Sequence, residues 1–360
     1  MRSRFLFLSL SIILSFTATQ QISAQKKAVI AYYSGGLEAL DSFNAKNMTH
    51  IIYCFGHLKG NKLHLSRQRD TLLIQKMVAM KKANKDLKVL LSLGGWGGCA
   101  PCSDAFNSAE GRSEFVRSVK ELTDYFKSDG IDLDWEYPTI EGYPEHKYQQ
   151  ADKQNFTDLV AELRKVLGNK KVITFAAGGF QKFLEESVDW KNVMKYVDYV
   201  NLMTYDLVNG YSTVTGHHTG LYSTPSLKES TDNCVSYLIN YGVDPKKLII
   251  GAAFYSRVWE NVEPVNNGLY QSGKFKHSFG YDRFDERLKG YTLYWDDVAK
   301  APYAYNASQK LFATFDDKRS IEAKSKYVLD KKLGGIMFWH LGHDKAKDGL
   351  VDVINRTFGR

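Results

Sequence analysis

Eight short apolar runs recur along the chain, and most intervals between them carry an amphipathic helical pattern. The runs are 28–35 (AVIAYYSG), 50–58 (HIIYCFGHL), 88–96 (KVLLSLGGW), 130–137 (GIDLDWEY), 172–179 (VITFAAGG), 199–207 (YVNLMTYDL), 248–256 (LIIGAAFYS) and 334–342 (GGIMFWHLG). Between the third and fourth, Phe115, Val116, Val119, Leu122 and Phe126 fall on one helical face. Between the fourth and fifth, Leu159, Leu163 and Leu167 do the same. Strands that alternate with helices pair in parallel, because each crossover returns the chain to the same end of the sheet. Eight such units predict a (β/α)8 TIM barrel of the α/β class.

One interval breaks the rhythm. About 77 residues separate the seventh and eighth runs, far more than a βα unit requires. Only Ser320 to Lys332 reads as the returning helix. Residues 259–315 are rich in Tyr, Gly and Asp, with alternating stretches such as YTLYWDD. They predict a small α+β insertion subdomain on the rim of a barrel spanning 25–360, and their aromatic content argues against a disordered loop.

The N-terminus carries Arg2 and Arg4, an apolar run from Phe5 to Phe16, and small residues ending at Ala24. This is the layout of a secretory signal peptide over residues 1–24, and the apolar run is short for a bilayer span. Its removal takes two arginines and no acid, lowering the net charge from +8 to +6. The expected product is a secreted or periplasmic monomer with no membrane span. The remaining basic residues are spread out, with no arginine-rich arm, so nucleic acid is not an expected partner. Aromatics reach 13%, including 22 Tyr and 6 Trp, a supply of rings that suits sugar faces.

In an exported protein, Cys99-Ala-Pro-Cys102 favours a small loop disulfide. Half a zinc site lacks its second CxxC, and a redox motif needs a thioredoxin-like βαβ start. Cys54 lies inside an apolar strand and reads as packing.

The fourth run poses the chemical question. Asp132, Asp134 and Glu136 alternate with Ile131, Leu133 and Trp135. On a strand the acids share one face and the apolar residues the other. In a barrel the apolar set packs under the helices and the acids line the interior, about 6.6 Å apart. Three carboxylates so placed repel one another, and at least one holds its proton near neutrality. Glu136 comes last, at the C-terminal mouth where barrel enzymes work, and is the natural general acid.

Asp129 to Glu136 matches the DxxDxDxE signature of glycoside hydrolase family 18, the chitinases, and the chain resembles that family over most of its length. Ser92-Leu93-Gly94-Gly95-Trp96 resembles the family's third-strand motif, Met203-Thr204-Tyr205-Asp206 its sixth-strand motif, and Trp339 ends the eighth strand as in the family. The resemblance implies retaining hydrolysis of β-1,4-linked N-acetylglucosamine polymers without an enzymic nucleophile. Glu136 would protonate the scissile oxygen while the substrate's acetamido oxygen attacks the anomeric carbon. Asp134 would orient the acetamido nitrogen, with Asp132 beneath it. Tyr205 and Asp206 would hold the acetamido group.

The same likeness makes Trp339 the floor beneath the reacting sugar. Met203, Gly95, Trp96, Tyr32, Phe55, Tyr137 and Arg257 are further cleft candidates. The expected partner is chitin or chito-oligosaccharide, with no cofactor and no metal; no acid–His ligand set accompanies His217–His218 or His340 and His343. Alternatives are an endo-β-N-acetylglucosaminidase of the N-glycan core and a non-catalytic chitin lectin. Ala252-Ala253-Phe254-Tyr255-Ser256-Arg257 and Gly220 depart from the family pattern, which bears on subsite shape.

Overall fold

The computed structural model describes residues 26–360, so the expected leader over 1–24 lies outside the described residues. In chain order the first strands are β1 (Ala28–Tyr33), β2 (His50–Lys59), the short hairpin partner β3 (Lys62–His64), β4 (Lys88–Gly94) and β5 (Gly130–Asp134). β6 (Val172–Gly178), β7 (Tyr199–Met203) and β8 (Leu248–Ala253) follow. A second set, β9 (Tyr255–Glu260), β10 (Lys274–Gly280), β11 (Thr292–Asp296), β12 (Ala301–Asn306) and β13 (Leu311–Thr314), precedes β14 (Gly335–Trp339). β1, β2, β4 to β8 and β14 pair in parallel, and β1 bonds both β2 and β14, so the barrel is closed.

The alternation read in the fourth run is visible in its packing. Ile131, Leu133 and Trp135 lie in the layer between barrel and helices. The Trp135 ring sits 5.5 Å from Phe106 and 6.3 Å from Phe156. The helix Ala109–Phe126 buries Phe115, Val116, Val119 and Phe126, while Leu122 is only partly covered. It starts where the Ser108 hydroxyl accepts from the Gly111 N–H at 3.0 Å, meeting one of the donors a helix start leaves free. Leu159, Leu163 and Leu167 are buried on the helix Asp152–Leu167. The barrel lumen holds its own apolar cluster, including Ile30, Tyr32, Ile52, Cys54, Leu90, Ile249 and Met337.

β9 to β13 form an antiparallel sheet in the order β10-β9-β13-β12-β11. Its covered face collects Trp259, Val262, Tyr303, Tyr305 and Phe312. The sheet starts at Tyr255, a single residue beyond β8, which carries Tyr255 and Arg257 to the barrel mouth. It returns through a buried ion pair. Lys324 and Asp316 are fully enclosed with Nζ 2.6 Å from Oδ2. Asp316 also accepts from the Ala253 N–H at 2.9 Å, the Thr219 hydroxyl at 3.2 Å and Ser320 at 2.7 Å. One carboxylate thus joins the end of β8, the 217–221 loop and the helix Lys318–Asp330. No helix among the described residues is long and apolar enough to cross a membrane.

Candidate active site

A cleft of about 1050 Å³ opens at the C-terminal ends of the barrel strands. Asp134, Glu136, Tyr137, Met203, Tyr205, Asp206, Arg257, Trp339, Trp96, Tyr32 and Phe55 all line it. Two residues expected at the site do not. Gly95 lies behind the wall, and Asp132 lies beneath the floor.

Asp132 is fully buried and accepts four hydrogen bonds: from Thr174 at 2.6 Å, Ser92 at 2.8 Å, Tyr32 at 3.1 Å and Asn201 at 3.2 Å. Burial raises its pKa, and the four donors pull against that rise. Asp134, one step up the strand, has no such support. Its Oδ1 is buried without a partner among the described residues. Burial pushes its carboxyl well above the usual range, and the charges of Glu136 and Asp132 push it further.

β5 ends at Asp134, so Glu136 stands just past the strand in the mouth rather than within it. Its carboxyl is pushed up to about 7 by burial, tempered by the Tyr137 hydroxyl and reinforced by the charge of Asp206. The stack therefore carries a transferable proton near neutrality at its open end. That is the condition for a general acid.

The wall beyond β7 is ionised. Arg257 grips Asp206 through Nε to Oδ1 at 2.7 Å and Nη2 to Oδ2 at 2.5 Å, and His218 Nδ1 lies 3.5 Å from Oδ1. Burial alone would raise Asp206, but His218 and Arg257 outweigh it and hold the carboxyl well below its usual range. Arg257 is thus half of a cleft-lining ion pair, and Asp206 spends both its oxygens on protein. Burial raises the Tyr205 phenol, which stays protonated as a donor.

Trp339 stacks on Phe55, with centroids 5.6 Å apart and planes inclined by 16°, and Tyr32 leans against it at 6.1 Å. The turn after β4 is built by two glycines. Gly94 has φ +104°, and a Cβ there would sit 2.1 Å from the Asp134 carbonyl oxygen. Gly95 has φ +79°, and its Cβ would meet the Phe55 ring at 2.5 Å. Both conformations and both approaches require glycine. Gly95 therefore shapes the cleft by letting Phe55 lie flat. The turn delivers Trp96, 48% exposed, to a cluster with Tyr143 at 5.5 Å, Tyr211 at 6.3 Å and Tyr137 at 6.4 Å. Beyond it Cys99 and Cys102 are disulfide-bonded, with Cα atoms 5.2 Å apart. Cys54 is a free, buried thiol of the lumen.

Residues outside the barrel strands, which their patterns did not single out, also border the cleft: Lys182, Tyr211, His343 and, on β10 of the insertion sheet, Phe275 and Ser278. His217 bonds Asp296 at 2.9 Å, outside the cleft lining. No group of three or more metal-ligating side chains gathers among the described residues.

Residues 18–344 match the model of the family described as glycosyl hydrolases family 18. Chitinase A1 of Niallia circulans is 33% identical over 301 residues, covering 76% of this chain, which spans only 43% of that relative's length. A family 18 N-acetylglucosaminidase from Paenibacillus barengoltzii superposes with a TM-score of 0.83 at 34% identity, over 92% of this chain and 99% of that one. Catalytic domain 2 of the Ostrinia furnacalis Group II chitinase, solved as a mutant in complex with (NAG)5, does so with a TM-score of 0.84 at 26% identity, over 92% and 96%. The acid stack on β5, the mouth it opens into and the match across nearly the whole barrel lead to one conclusion: this chain belongs to the family 18 glycosyl hydrolases.

Proposed function

We propose that the protein is an exported chitinase that hydrolyses β-1,4-linked N-acetylglucosamine polymers with retention of configuration, using the substrate's own acetamide as nucleophile. The observation that carries this reading is Glu136, its carboxyl pushed up to about 7, next to a second buried acid, Asp134, in a cleft lined with rings. Glu136 donates its proton to the glycosidic oxygen as the bond breaks, then takes one from the water that completes the cycle. A covalent retaining mechanism needs a second carboxylate across the bond, about 5–5.5 Å from the acid. The other ionised carboxylate of the cleft, Asp206 just past β7, is committed to Arg257 through both oxygens, a poor state for a nucleophile. The acetamido oxygen is already tethered to the reacting sugar and carries the advantage of proximity. Asp134 faces the acetamido nitrogen, where positive charge develops, and Tyr205 donates to its carbonyl.

The likeness to an N-acetylglucosaminidase matched along 99% of its chain supports a second reading, in which single N-acetylglucosamine units are the product. Product analysis on chito-oligosaccharides separates the two. Glu136→Gln should lower kcat by about 10²–10⁴-fold while oligosaccharide binding stays within a few-fold of wild type. Turnover equal to wild type would overturn the assignment. Export rests on residues 1–24, and mass spectrometry of secreted protein should find a mature N-terminus near Gln25.

A further inference from the structure

His343 lines the cleft and has no part in the chemistry above. It closes the short turn Leu341–His343 that follows β14, four positions beyond Trp339. Its neighbours hold the ring from two sides. The imidazole of His340 lies 4.0 Å away, centroid to centroid. His340 is itself fixed, accepting the Gly342 N–H on Nδ1 at 3.1 Å and sitting 5.4 Å from the Trp339 ring. On the other side β10 passes so close that a Cβ at Gly280 would come within 2.8 Å of His343 Cγ.

The orientation decides which atom faces the cleft. His343 Nδ1 is buried with no partner among the described residues. A buried N–H without a partner is rarer and costlier than a bare acceptor, so the proton of the neutral ring resides on Nε2. Burial lowers the pKa of His343, with Asp282 pulling the other way, and the ring is neutral at pH 7. With Nδ1 buried, Nε2 is the ring nitrogen left to face the cleft, whose lining His343 shares with Trp339 and with Ser278 of β10. An indole that covers the apolar face of a pyranose leaves the sugar's equatorial oxygens pointing sideways. A rigid donor at that edge is matched to such an oxygen.

We propose that His343 is a substrate-positioning residue whose Nε2–H donates to a hydroxyl or acetamido oxygen of the sugar unit seated between Trp339 and β10. This rests on the chitin-type substrate argued above. The donor adds affinity for one sugar unit and takes no part in bond breaking.

The test is binding of chito-oligosaccharides of increasing length, by calorimetry, to Glu136→Gln and to the same protein carrying His343→Leu or His343→Gln. Leu should raise Kd about three- to tenfold from the length that first fills this segment upward, the value of one hydrogen bond. Gln, whose amide nitrogen approximates Nε2, should restore most of the affinity. Unfolding temperatures of all three proteins should agree, which a merely structural role of His343 would not allow. Equal Kd for Leu and wild-type His343 at every length overturns the proposal, as does a loss that Gln leaves uncorrected. Wild-type turnover is read separately. A protein that binds these sugars but never cleaves them sinks the proposed function and leaves the Kd comparison to decide on His343. One that binds none of them overturns both.

Discussion

In the proposed mechanism Glu136 has to hold a proton at the pH where it acts, and burial together with the charge of Asp206 raises its carboxyl toward that condition. With its carboxyl near 7, kcat/KM should be flat in mild acid and fall as pH rises through about 7, since the deprotonated acid cannot assist the leaving group. A profile still flat at about pH 9 would contradict the assignment. The same shift has a thermodynamic side. The folded value stands above the ordinary 4.5, so ionisation weakens the native state. The associated stability is present below that value and is lost as pH rises through 7. Glu136→Gln cannot ionise, so it should unfold at a higher temperature than wild type at about pH 8 and at nearly the same temperature at about pH 4. Equal unfolding temperatures at both would mean that the carboxyl is not held as described. Asp132 shows the opposite solution to the same problem, since four donors make its burial tolerable.

At the level of elements, the most exposed point of the design is the joint between the barrel and its insertion sheet. Lys324 is fully buried and Asp316 is its counter-ion. Breaking a buried pair by removing one partner leaves an uncompensated charge, at about 3–5 kcal/mol. Lys324→Met should cost an amount of that order in chemical denaturation and should loosen the 217–221 loop behind His218 and Asp206. A loss below about 1 kcal/mol would show that solvent reaches Asp316.

The acid strand and the helix faces were legible because they follow local periods of two and 3.6, which the chain states directly. The ends were less so: the fourth run reads as a strand to Tyr137, but its ladder stops at Asp134, and that freedom puts Glu136 in the mouth. The Arg257–Asp206 pair was not legible as a pair, because it joins β9 to the segment just past β7, 51 residues apart, and only the closed barrel brings them together. Gly95 was read as a sugar contact; its positive φ and its approach to Phe55 are three-dimensional facts that give it a different task.

For the whole molecule, a closed barrel supplies rigidity under the acids, a five-stranded sheet raises one wall of the cleft, and loops after several strands supply its rings. Tyr211 comes from a loop, His343 from the turn after β14 and Phe275 from β10 of the insertion sheet, so no barrel-strand motif placed them in the cleft, and only assembly of the rim does. The central claim joins these scales: Glu136 gives up a proton while the sugar's own acetamide displaces the leaving group. It is tested most directly by initial rates on aryl chitobiosides whose N-acetyl groups carry none, one, two or three fluorines. Fluorine drains electron density from the carbonyl oxygen and changes the substrate's shape little. The account predicts that kcat/KM falls steeply with each fluorine added. Rates that stay level across the series would contradict it.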